Sequence, residues 1–145
     1  MKALARVTPL ALIGLIATLT LSAAGAGKTP VVWGAGDVKW TSNPAMKGFS
    51  VATLWGDPSK GAYGALKKVA AGSDLGWHSH TGDQRVVGVA GVFDFQMEGQ
   101  PVKELAAGSY VFTPGGVKHS AKCRAGADCV YFEEQSVKSD YIPGK

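Results

Sequence analysis

The sequence predicts an all-β domain, a sandwich or a jelly-roll barrel. Short runs rich in Val, Phe, Tyr and Trp are separated by turn signals, the pattern of many short strands. From Val31 onward no stretch carries the three-to-four-residue apolar period of a long amphipathic helix. Gly and Pro, 20 and 7 of the 145 residues, also recur too often to permit one.

The first expected strand is Val31–Trp33, an edge strand or lead-in whose Trp33, with Trp40 and Trp55, is expected to pack against the barrel. After Asn43-Pro44 comes Phe49–Trp55. Gly56-Asp57-Pro58 separates it from Ala62–Val69, which ends at Ala71-Gly72-Ser73. Arg85–Ala90 and Val92–Met97 are divided by Gly91, and Glu98-Gly99-Gln100-Pro101 closes the second. Ser109–Thr113 lies between Gly108 and Pro114-Gly115-Gly116, and Val130–Glu134 follows Ala125-Gly126. In each break Gly allows positive φ or Pro presets a turn.

The chain is expected to divide into a signal peptide, 1–26, and one domain, 27–145. Lys2 and Arg6 precede an apolar run from Leu10 to Leu21, and small residues follow, ending Ala24-Gly25-Ala26. The run is about a dozen residues, whereas a membrane span takes ~20, so cleavage after Ala26 and release from the membrane are expected. That implies a periplasmic or secreted protein. Removing Lys2 and Arg6 leaves 13 basic residues (15 less 2) against 11 acidic ones, a formal charge of +2. Lys67-Lys68, Lys118, Lys122 and Arg124 are scattered and read as solvated surface, which argues against nucleic acid as a partner. In an oxidising compartment Cys123 and Cys129 are expected to pair across a hairpin loop; a reactive or metal-binding thiol is the alternative.

The chain holds 3 histidines. In a strand His78 and His80 share a face, so both imidazoles reach one ion. Gln84 follows across Thr81-Gly82-Asp83, where a turn or bulge could return its amide oxygen to that face, and His119 comes from a distant strand. The segments Gly72-x5-His78-x-His80-x3-Gln84-x6-Gly91 and Gly108-x5-Pro114-x-Gly116-x2-His119 resemble the two signature motifs of the cupin superfamily. The resemblance implies a cupin-type jelly-roll β-barrel with His78, His80, Gln84 and His119 as ligands to one divalent transition metal ion, zinc, manganese, iron or nickel. It also implies a small-molecule ligand or substrate and a homodimer formed through edge strands. A looser likeness, from Leu54-Trp55-Gly56-Asp57-Pro58 through the HxH motif to Glu134, is to uncharacterised exported cupins related to the ChrR anti-sigma-factor cupin domain.

Two positions depart from the superfamily pattern: Gln84 stands where Glu is usual, and Cys123 where Asn is usual. Three imidazoles and an amide are all neutral, so the ion keeps its full charge, attracts anionic oxygens and is harder to oxidise. The expected activity is therefore Lewis-acid chemistry of the isomerase, lyase or hydrolase type on a small oxygenated substrate. A non-catalytic ligand-binding or sensor module and a metal-dependent dioxygenase are the other readings. Strand parity turns Gln84, Val86 and Gly88 inward and Arg85 and Val87 outward. Phe93, Phe95 and Met97 share one face, and Tyr110 with Phe112 another; these aromatics are expected in the core. Glu133 is the candidate catalytic base, with Glu134 as its neighbour and a solvated strand end as the alternative. Trp77 is a candidate stacking platform at the barrel mouth.

Overall fold

The computed structural model describes residues 29–144. Trp33–Lys145 forms one compact unit; of the preceding unit, Met1–Val32, only Thr29–Val32 are described, and these are irregular. The expected signal peptide lies outside the described residues.

Among those residues the chain is all-β apart from a single 3-10 turn, Ala35–Asp37. The strands are β1 (Thr41–Ser42), β2 (Phe49–Gly56), β3 (Tyr63–Val69), β4 (His78–Ser79), β5 (Gln84–Ala90) and β6 (Phe93–Met97). They continue with β7 (Lys103–Leu105), β8 (Tyr110–Thr113), β9 (His119–Cys123), β10 (Cys129–Gln135) and β11 (Ile142–Pro143). They build two antiparallel sheets, one ordered β1-β2-β3-β10-β5-β8 and the other β11-β4-β9-β6-β7. Among the described residues no helix is long and apolar enough to cross a membrane.

The alternation of side chains along each strand decides which residues the two sheets enclose. β10 lies between β3 and β5, with Glu133 opposite Ala65 on one side and Val86 on the other. The enclosed rows are graded along the strands. One end carries Tyr63, Gln84, Thr113, His119 and Gln135; the other carries Val69, Phe93, Cys123 and Cys129. The last four form the buried apolar cluster, with Phe49, Leu75, Leu105, Ala121 and Tyr131 packed against it. From His119 to Cys123 the rise is ~13 Å at ~3.3 Å per residue, so the polar and apolar ends are well separated.

Four expectations need correction. Val31–Trp33 makes no ladder, since no strand offers its backbone a partner, and Val32 is 92% exposed. Trp33 and Trp55 stay about half exposed, while Trp40 packs beneath the Lys68 ammonium, 4.4 Å from its ring centre. Tyr110 and Phe112 lie on the outer face, 60% and 40% exposed, because parity gives the interior to Val111 and Thr113. Lys67 is buried, for it shares the inward row of β3 with Tyr63, Ala65 and Val69. Parity on β5 holds as expected, with Gln84 buried and Arg85 and Val87 exposed.

Cys123 and Cys129 form a disulfide between the end of β9 and the start of β10. Replacing both by serine is expected to cost about 2 kcal/mol in urea unfolding, since a short closed loop restricts the unfolded chain only modestly.

Candidate metal centre

His78 and His119 face each other across the β4–β9 ladder, which brings their ring centres to 4.3 Å. His80, two residues on, points the same way, 5.0 Å from His78 and 5.3 Å from His119. One nitrogen from each ring can be chosen so that all three lie within 4.8 Å of one another. The loops that hold this arrangement press together through glycine. Gly116 donates its N–H to the His80 carbonyl at 2.8 Å, and Gly115 donates to Asp83 at 2.9 Å. A Cβ on Gly115 would lie 2.4 Å from the Thr81 carbonyl oxygen, a distance no side chain tolerates. The second motif thus needs glycine there to rest on the first.

Backbone carbonyls set the tautomers. Nδ1 of His78 donates to Gly76 at 2.9 Å, that of His80 to Asp140 at 2.6 Å and that of His119 to Val117 at 3.1 Å. A ring that donates from Nδ1 carries its lone pair on Nε2, the state a metal ligand requires. Burial pushes the His78 imidazole down to about 4 and moves His80 and His119 in the same direction. All three are therefore neutral at pH 7.

Gln84 is buried and shares a cavity of about 160 Å³ with His80, His119, Lys67 and Glu133. Its Nε2 donates to Glu133 Oε2 at 2.9 Å, which leaves the amide oxygen for the cavity. Glu133 is 1% exposed, so the solvated strand end is excluded. Its Oε1 accepts from Lys67, Tyr63 and Gln135, whereas Oε2 accepts from Gln84 alone. Burial pushes the carboxyl up, but the Lys67 ammonium and the Tyr63 hydroxyl outweigh it and hold Glu133 below its ordinary value. Burial, then Glu133, pushes the Tyr63 hydroxyl well above its usual range, so it remains a donor. Lys67 and Glu133 are a buried ion pair whose charges cancel. Glu134, on the opposite parity, and Trp77, 39% exposed beside Gln96 and Lys118, lie outside the cavity wall.

Sequence reasoning missed Lys67, Tyr63 and the segment after Gln135. Lys67 was within reach, because Tyr63-x-Ala65-x-Lys67-x-Val69 places it on an otherwise apolar row. The segment gives no such signal. β11 pairs with β4, and the Asp140 carboxylate accepts from the Thr81 N–H at 3.0 Å and from its hydroxyl. Above all that hydroxyl holds the Asp140 carboxyl below its ordinary value. Tyr141 stacks on His78 with centres 4.6 Å apart, anchored by its hydroxyl to the Leu75 carbonyl at 2.7 Å. Two of the three histidines thus depend on this segment for orientation. Asp140→Ala keeps the carbonyl that His80 donates to but removes the carboxylate that ties this segment to Thr81, so metal binding measured by chelator competition is expected to weaken several-fold, short of the ~10–100-fold that loss of a direct orienting partner costs.

The polyketide cyclase RemF from Streptomyces resistomycificus superposes with a TM-score of 0.67 at 15% identity, covering 81% of this chain and 87% of that one. The DMSP lyase DddQ from Ruegeria pomeroyi DSS-3 gives 0.63 at 20% identity, covering 74% of this chain and 61% of that one. This chain therefore spans less than two thirds of the lyase. The Rhodobacter sphaeroides complex of SigE with the anti-sigma ChrR gives 0.56 at 20%, covering 70% and 50%. At these identities the likeness establishes the fold alone. Among curated proteins none matches the sequence. Residues 28–137 match the family described as the ChrR cupin-like domain, and with that match over most of its length the chain belongs to this cupin family.

Proposed function

We propose that this is an exported cupin that holds one divalent transition metal ion through His78, His80, His119 and Gln84 and acts on a small oxygenated substrate. The observation that carries the reading is the convergence of three buried, neutral imidazoles, each with Nδ1 held by a carbonyl, beside a cavity that His80 and His119 line. When bound, the ion supplies Lewis-acid polarisation of a substrate oxygen, the chemistry of isomerases, lyases and hydrolases.

The protein's own groups divide the remaining work. Gln84 offers its amide oxygen to the site because Glu133 takes its N–H. Lys67 cancels the Glu133 charge, which leaves the Asp140 carboxylate beside His80 to offset only part of the charge of the ion. Glu133 Oε2, which accepts only from Gln84, is the atom that can take a proton from substrate. Burial of Gln84, Lys67 and Glu133 strengthens each of these interactions.

One observation favours the second reading, a ligand-binding or sensor module without turnover. Glu133 is held below its ordinary value, which makes it a weak base at neutral pH. Cobalt-loaded protein separates metal-centred function from its absence. Azide added to it is expected to change the visible absorbance saturably, and an unchanged spectrum would mean that the ion offers no open position. Turnover of the carboxylates that bind would then favour the enzyme over the sensor.

A further inference from the structure

The cavity is graded, and the grading says what shape of molecule it takes. At the histidine end lie His80, Gln84 and His119; Val111, level with Glu133, and Lys67, opposite Tyr131, line the middle, and toward the other end the same cavity is walled by Phe49, Phe93 and Leu105. The ladders fix this order. Phe93 pairs with Cys123 and Met97 with His119, so the aromatic row of β6 runs away from the histidines toward the buried apolar cluster.

The charges at the polar end are also accounted for. Lys67 and Glu133 cancel, while the Asp140 carboxylate, anchored by the neutral Thr81 and 3.8 Å from His80 Nδ1, remains as one negative charge beside the site. A divalent ion on three neutral imidazoles and an amide, with Asp140 as the one carboxylate not paired to a cation, leaves a net positive charge, and one anionic head group is the natural complement. The body of the ligand meets different conditions. The walls there are mainly carbon, with Asn43 and Ser109 the polar side chains, so most hydroxyls of a polyol would be buried without a partner, which is costly. The volume, about 160 Å³, compares with an apolar cavity of ~150 Å³ that accepts benzene.

We propose that the ligand is a small carboxylate with an uncharged hydrocarbon body, a single ring or a short chain. Its head lies at the histidines and its body runs past Val111 toward Phe93 and Leu105. This rests on the metal-centred function above and narrows its substrate class, setting polyhydroxylated acids aside.

The test is a titration of cobalt-loaded protein with acetate, hexanoate, phenylacetate and gluconate, followed by visible absorbance, with azide as the reference anion. Each buried methylene is expected to tighten binding about fourfold, so hexanoate and phenylacetate should bind at least tenfold more tightly than acetate. Gluconate should bind no more tightly than acetate. Leu105→Asn, a near-isosteric change in the apolar wall beside Phe93, should lower hexanoate affinity several-fold and leave acetate unchanged. Equal affinities for acetate and hexanoate, or tighter binding of gluconate, would overturn the proposal while anion capture by the metal stood. If azide and all four acids fail to bind, the metal-centred function falls with it.

Discussion

His78→Ala, His80→Ala and His119→Ala are each expected to lower metal affinity on the order of a hundredfold or more. A removed ligand should cost at least as much as a removed orienting partner, which reaches ~100-fold. The fold should survive, because the apolar cluster around Val69, Phe93 and the disulfide lies at the opposite end of the enclosed rows. Burial already holds these imidazoles neutral, so their removal leaves no unpaired charge. Metal content and circular dichroism read the two effects separately. Full metal occupancy in all three variants would place the site elsewhere.

Gln84→Glu is expected to have two effects of opposite sense. With metal bound, the added carboxylate cancels one unit of the ion's charge. At ~5 Å and an effective dielectric of ~20 this changes the attraction for an anion by roughly 3 kcal/mol before relaxation. Half of that is still about a tenfold loss of azide affinity. Without metal, the new carboxylate replaces the amide N–H that Glu133 accepts at 2.9 Å and sets two negative charges side by side. The metal-free variant should therefore unfold more readily than wild type, and metal should restore more stability to it than to wild type. The same contact accounts for the departure from the superfamily pattern: with Glu133 held as an anion by Lys67, position 84 needs a donor that Glu lacks. Equal azide affinities in the two proteins would show that Gln84 does not touch the ion.

The parts of the fold legible in sequence were those with strong side-chain alternation. Tyr63–Val69, Phe93–Met97 and Cys129–Gln135 lie within a residue or two of their expected bounds. Thr41–Ser42, His78–Ser79, Lys103–Leu105 and Ile142–Pro143 are too short to show a period. His119–Cys123 contains no β-branched residue and exists as a strand because β4 and β6 pair with it. The three histidines were legible because their spacing is tied to strand geometry. The row of Lys67 was legible but its burial was not, since a lysine is read as surface until a buried carboxylate from a distant strand supplies its partner. Nor was the Asp140–Tyr141 contact, which depends on the chain folding back on β4.

The central claim is that the chain binds one metal ion at the three histidines. Its most direct test is metal analysis of protein exported and purified without added metal, with His119→Ala in parallel. The expected result is about one divalent transition metal ion per chain in wild type and little in the variant, as the convergence of His78, His80 and His119 requires. Wild-type protein that carries no metal, and takes up none on titration with zinc, manganese, iron or nickel, would contradict the account.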